Sequence, residues 1–189
     1  EARAVATNFT VVRVRRDVLR RSSIGALFTG RSVAIGGTGS AETYGVDGLF
    51  SFFDNLNINT YWAKTSTPGL REDDLSYKGQ LDYNGDRYGV QLEHLVVGDH
   101  FNPEVGFLLR DDFERSFGSF RFSPRPQGIA AIRKFTWAGS LDYITDRAGR
   151  LETRENQGRF GIEFENSDLF NATYNRSYEF LEKPFRIAP

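Results

Sequence analysis

Apolar and polar residues alternate with period two along most of the chain, most clearly over residues 43–64. Tyr44, Val46, Gly48, Phe50 and Phe52 share one parity; Gly45, Asp47, Leu49 and Ser51 share the other. A turn dipeptide, Asp54-Asn55, follows. Beyond it Leu56, Ile58, Thr60 and Trp62 alternate with Asn57, Asn59 and Tyr61. Period-two alternation on both sides of a short polar turn predicts a β-hairpin.

The same pattern recurs and predicts ten strands, at residues 8–15, 23–32, 43–52, 56–65, 75–84, 87–97, 113–122, 134–144, 157–165 and 169–180. Leu75, Tyr77, Leu81 and Tyr83 oppose Ser76, Lys78, Gln80 and Asp82, and Phe160, Ile162 and Phe164 oppose Arg159, Glu163 and Glu165. No amphipathic helix, domain linker or low-complexity tract interrupts the series, which reads as one domain over residues 1–189. The Gly36-Gly37-Thr38-Gly39 run is a loop and does not lead into a helix, as a phosphate-cradling loop would.

Connections alternate in length. Short turns at residues 53–55, 84–86 and 166–168 contrast with long loops at 33–42, 66–74 and 98–112. Short turns at one end and long loops at the other are the habit of outer-membrane barrels. The strands approach the ~9–11 residues that cross a bilayer at a tilt, and aromatic residues gather near strand ends. The expectation is therefore an all-β, antiparallel up-and-down (meander) β-barrel of outer-membrane type, with about ten strands. Tyr44, Val46, Phe50, Phe52, Ile58, Trp62, Phe135 and Trp137 would face lipid, and Arg13, Arg15, Asp47, Lys78, Asp82, Glu93, Asp142 and Glu163 a polar lumen. Alternation alone fits a second reading: a soluble β-barrel or sandwich with an apolar core, binding a glycan or an apolar ligand.

Strand parity places Glu1 at the long-loop end, whereas complete barrels begin in the periplasm. Together with the absence of methionine and a non-strand ending at residues 185–189, this predicts a segment of a larger barrel.

Composition narrows the chemistry. With 24 Lys+Arg against 25 Asp+Glu, net charge gives no attraction to nucleic acid. The absence of cysteine excludes disulfides, thiolate chemistry and Cys-ligated metals. No apolar run is long enough for a transmembrane helix, and no signal peptide is visible.

Candidate chemistry is sparse. Asp99-His100, with Asp73-Asp74 and Asp111-Asp112 in the long loops, invites comparison with an outer-membrane barrel hydrolase, in which a carboxylate orients the histidine base. Adjacent residues in an extended segment point apart, however, and no catalytic residue is assigned. Asp82, Asn84, Asp86 and Glu93 approximate a calcium-loop spacing, but Arg87 stands where that loop requires glycine. No metal or cofactor is expected. Arg13, Arg15, Arg16, Arg20 and Arg21 form a basic cluster, read either as an anion-attracting lumen or lipid-phosphate contact, or as lumen arginines paired with Asp47 or Glu93 together with a solvated turn. The least barrel-like stretch, residues 98–110, contains Phe101, Asn102, Pro103, Glu104, Gly106 and Phe107 and reads as a plug, a lid or a partner-contact loop.

Four stretches carry a family resemblance: NFTVVRVRRDVLRRSSIGALFTGRS (8–32), YGVDGLF (44–50), AKTSTPG (63–69) and FNPEVGFLLR (101–110). In these the chain resembles the domain-of-unknown-function family 5916, over most of its length up to Arg110. The resemblance implies a large outer-membrane-like barrel that follows a family-nine-like carbohydrate-binding domain, and it implies no catalytic residues. On these grounds the expected function is a structural, transport or surface-assembly role in the bacterial outer membrane. The bilayer and other envelope proteins would be the partners, with no nucleic acid.

Overall fold

The computed structural model describes residues 5–181; the sequence expectations for Glu1 and for residues 185–189 lie outside that range. Ten strands form: β1 (Phe9–Val18), β2 (Ser22–Arg31), β3 (Ala41–Phe52), β4 (Leu56–Ser66), β5 (Leu75–Asn84), β6 (Tyr88–Val97), β7 (Phe113–Phe122), β8 (Ile132–Thr145), β9 (Leu151–Phe164) and β10 (Leu169–Glu179). No helix forms among the described residues. All ten strands belong to one antiparallel sheet in sequence order. The 43–64 hairpin pairs Tyr44 with Lys64, Val46 with Trp62 and Phe50 with Ile58, the register its alternation predicts.

The barrel does not form. Among the described residues β1 pairs with β2 alone and β10 with β9 alone, so the sheet is open, with two free edges. This corrects the expected outer-membrane barrel, whole or as a segment, and the barrel function and transmembrane strands that went with it. Closure requires strand number, tilt and shear to bring the first and last strands into register. Alternation determines which side chains share a face but carries none of those three quantities. Arg13, Arg15, Asp47, Lys78, Asp82, Glu93, Asp142 and Glu163 therefore line a face and not a lumen.

The buried core is small and lies at the long-connection end. There the 67–74 and 98–112 loops fold over the ends of β4, β5 and β6 and bury Thr65, Ser76, Val96, Val97 and Phe101. The polar members of this core are satisfied. The Ser76 hydroxyl donates to the Val96 carbonyl at 3.0 Å, and the Asn102 amide donates to Thr65 Oγ1 at 3.1 Å. Gly98 is required by proximity: a Cβ there would run into the Asp73 backbone carbonyl.

β9 begins six residues earlier than alternation predicts. Leu151-Glu-Thr-Arg-Glu-Asn is mostly polar, and it becomes strand because both neighbours pair with it, Ile144 and Glu179 each facing Thr153. Pairing on two sides supplies backbone hydrogen bonds that local propensity does not.

The short β3–β4 turn places Phe53 at φ 55°, with 83% of its surface exposed. A left-handed backbone costs a residue with a Cβ roughly 1–2 kcal/mol, and asparagine or glycine much less. Since Phe53 loses little packing, Phe53→Asn is expected to stabilise the chain by about 0.5–1 kcal/mol, read as a shift of the urea midpoint at unchanged slope.

Candidate functional site

The two faces of the sheet have opposite chemistry, and the strand register decides which residues meet on each. On one face Val46, Trp62, Tyr77 and Val96 lie in a single cross-strand row; in another, Phe50, Ile58, Leu81 and Leu92 are neighbours, with Gly118 and Leu141 continuing it. The eight residues expected to face lipid all share this face. Rings touch along it: Phe28 on Tyr44, then Tyr88, Phe122, Trp137, Phe160 and Phe170 in succession, at centroid spacings of 5.2–6.4 Å. Such offset and tilted pairs are favoured over face-to-face stacks.

Apart from Val96, which lies in the buried end of the sheet, this apolar face is uncovered. Leu92 is 54% exposed and Leu141 43%, although both sit in mid-strand. Across β5–β8, by contrast, Lys78, Gln80, Gln91, Glu93, Ser119, Ser140 and Asp142 on the opposite face are half-buried. Monomeric proteins seldom leave contiguous apolar patches larger than a few hundred Å² in water, which makes this face the candidate interaction surface. A hollow of about 540 Å³ lies between Val14, Ile24, Val46, Phe50 and Trp62, with the Phe50 ring packed over Gly48 on its floor.

Aromatic residues on this face are ordered by position. Toward the long-connection end stand Phe28, Tyr44, Trp62, Tyr77, Tyr143 and Tyr178; toward the short-turn end stand Phe52, Tyr83, Tyr88, Phe122, Trp137, Phe160 and Phe170. Between them lie Gly48, Thr60, Gly79, Leu81, Leu92, Gly118 and Leu141.

The polar face is held by arginine–carboxylate pairs. Arg115 donates to Asp142 at 2.7 Å and to Glu93 at 2.9 Å, joining β6, β7 and β8. Hydrogen bonding to Asp142 is the main cause of its raised guanidinium pKa; burial opposes that effect, and the charges of Asp142 and Glu93 add to it. Arg13 pairs with Asp47 across β2, and Gly25 leaves the opening: a Cβ there would lie 2.6 Å from Arg13 Nη2 and 2.8 Å from the Asp47 carboxylate. Arg133 holds Glu163 at 2.9 Å. Of the eight polar residues singled out from sequence, Arg15, Lys78 and Asp82 have no side-chain partner among the described residues. Two hollows of about 430 and 480 Å³ on this face share Asp82 and Asn84.

Sequence reasoning named Glu93 and Asp142 but missed Arg115, the cation between them. Its parity was the available signal. It was obscured because β7 carries Phe117 on the polar face and Phe120 on the apolar one, which blurs the alternation. The calcium-like spacing is taken apart by the fold. Asp86 pairs with Arg125, Asn84 accepts from Arg121 at 3.0 Å, and Glu93 goes to Arg115.

The loop expected to be a plug or partner contact packs against the end of the sheet. Phe101 is buried, and Thr67 Oγ1 donates to the Asn102 carbonyl at 3.5 Å. The Gly106 amide donates to the Pro103 carbonyl at 2.7 Å. The Glu104 side chain, 2% exposed, accepts from the Ile35 amide at 2.8 Å and lies 3.7 Å from Arg31. Phe107 remains exposed at the tip.

Asp99 and His100 lie at the start of this loop, with His100 Nε2 3.7 Å from the Asp99 carboxylate. His100 Nδ1 meets the carbonyls of Arg71 and Glu72 at 2.9 and 3.0 Å. These two hydrogen bonds raise the His100 pKa; slight burial opposes them, and the charges of Asp99 and Asp73 add to the rise. Burial pushes the Asp73 carboxyl up, but donation from the Asp99 amide and from Arg147, with the charges of Arg147 and His100, brings it below its ordinary value.

The Asp73 contribution is therefore complete above its ordinary value of 3.8 and is lost as pH falls through the lower folded value. The His100 contribution is complete below 6.5 and is lost as pH rises through the higher folded value. Amide exchange at residues 98–102 is thus expected to be slowest, relative to intrinsic rates, between these limits. His100→Gln is expected to remove the alkaline limb while leaving the acid one.

The fold and its surfaces define an open antiparallel β-sheet domain with one apolar and one polar face. Comparison with family models, with curated proteins and with solved structures finds no match to this chain.

Proposed function

We propose that this domain is a binding module that takes an apolar ligand on its aromatic-bounded face, and that the ligand is the hydrocarbon of lipid. The supporting observation is the placement of the aromatic residues. Tyr77 and Tyr83 on β5, and Trp137 and Tyr143 on β8, are six residues apart, and Tyr44 and Phe52 on β3 are eight apart. At ~3.3 Å per residue these separations are about 20–27 Å, a length along which an extended acyl chain can lie between the rings. Tyrosine and tryptophan suit the ends of such a site because the ring is apolar and its polar atom reaches water.

Both tryptophans of the chain, Trp62 and Trp137, lie on this face and report its environment. Titration with neutral phosphatidylcholine vesicles is expected to shift their emission to the blue, and brominated acyl chains to quench it. Unshifted emission, with the chain instead forming a dimer by light scattering, would show that a second sheet covers the face.

A further inference from the structure

The free edge at β1 is a second surface, independent of the apolar face. Natural sheets protect their edges with proline, bulges, lysine or short strands, because an unpaired row of amides and carbonyls templates another strand. The only such protection β1 carries is charge, at Arg13, Arg15, Arg16 and Asp17: it runs ten residues, has no proline or lysine, and pairs with β2 without a register break. Val11, Val12 and Val14 are 62%, 50% and 62% exposed, Val12 and Val14 on the apolar face and Val11 beside Arg13 on the polar one.

Cationic residues follow. Arg13 is committed to Asp47, the carboxylate in Arg15's own cross-strand row beyond Gly25. Arg15 and Arg16 therefore have no side-chain partner among the described residues, and alternation puts them on opposite faces.

We propose that the β1 edge binds an extended segment of another polypeptide by strand addition. The segment would run antiparallel, as every pair in the sheet does, with two consecutive carboxylates opposite Arg16 and Arg15 followed by β-branched residues opposite Val14, Val12 and Val11. Consecutive acids are required because neighbouring positions of a strand face opposite sides. Backbone hydrogen bonds would supply the affinity, and the acidic pair the register. A second copy fits less well. Its free β10 edge would meet the sheet in the right direction, but Leu169 to Asn175 contains no carboxylate.

The test uses a fluorescent peptide of about twelve residues, Glu-Asp followed by alternating Val and Thr, added to the full chain. Saturable binding is expected, with slowed amide exchange in β1 and none in β10. A Lys-Lys version should bind about tenfold or more weakly. Arg15→Glu with Arg16→Glu should invert that preference, which distinguishes lost recognition from lost folding. Equal binding of both peptides, protection at β10, or self-association through β1 that the peptide does not displace would each overturn the proposal.

Discussion

If the apolar face takes acyl chains, as proposed, replacing Leu92 by arginine is expected to reduce partition into neutral vesicles by about 30-fold or more, since an arginine set against hydrocarbon costs roughly 2–4 kcal/mol. Leu92 faces Leu81 across the strand pair and is followed by Gly118 and Leu141. It is therefore central between the aromatic residues at the two ends, where a charge has the longest path to water. Leu141→Arg should behave alike. Because both leucines are substantially exposed, neither change should alter unfolding without lipid by more than about 0.5 kcal/mol. Gln91→Arg is the control: it alters the same strand by the same charge, on the other face. Equal loss of partition in Gln91→Arg and Leu92→Arg would show that charge, and not the apolar face, governs the interaction.

The largest stability effect is expected at Arg115. Arg115→Ala removes the cation shared by Glu93 and Asp142, whose side chains are only 13% and 21% exposed. Two carboxylates then remain on the polar face, on the strands either side of β7, partly desolvated and without a counter-charge. Breaking such a pair costs about 3–5 kcal/mol when fully buried. Partial exposure reduces this to roughly 2–3 kcal/mol, seen as a lower urea midpoint. The origin of the loss is testable within the same series. Adding Glu93→Gln and Asp142→Asn to Arg115→Ala should restore about half of it, because the neutral amides no longer repel and are less costly to desolvate. No recovery would mean that the arginine's aliphatic stem and its approach to Phe117 carry the effect.

Much of the fold was legible because a strand needs little context. Period-two alternation set Tyr44, Val46, Phe50 and Trp62 on one face and Asp47, Asn57 and Asn59 on the other. The register pairs these residues accordingly. The start of β9 was not legible, because Thr153 and its polar neighbours become strand only by pairing on both sides. Nor was Arg115, on a strand whose aromatic residues occupy both parities. The 98–112 loop was recognisable as unusual from Pro103 and the run of apolar residues. That Glu104 buries its carboxylate against the Ile35 amide, 69 positions earlier in the chain, was not.

Most of the strand content, the assignment of side chains to two faces and the short and long connections from β1 to β7 are written in the residue pattern. These follow from backbone pleating and turn chemistry, which act between near neighbours. Tertiary structure alone decided that the sheet stays open at β1 and β10, that Arg13 takes Asp47 and leaves Arg15 unpaired, and that the loops gather over the ends of β4 to β6. Those outcomes depend on how residues far apart in the chain are brought together, and a local pattern of apolar and polar positions carries no record of that.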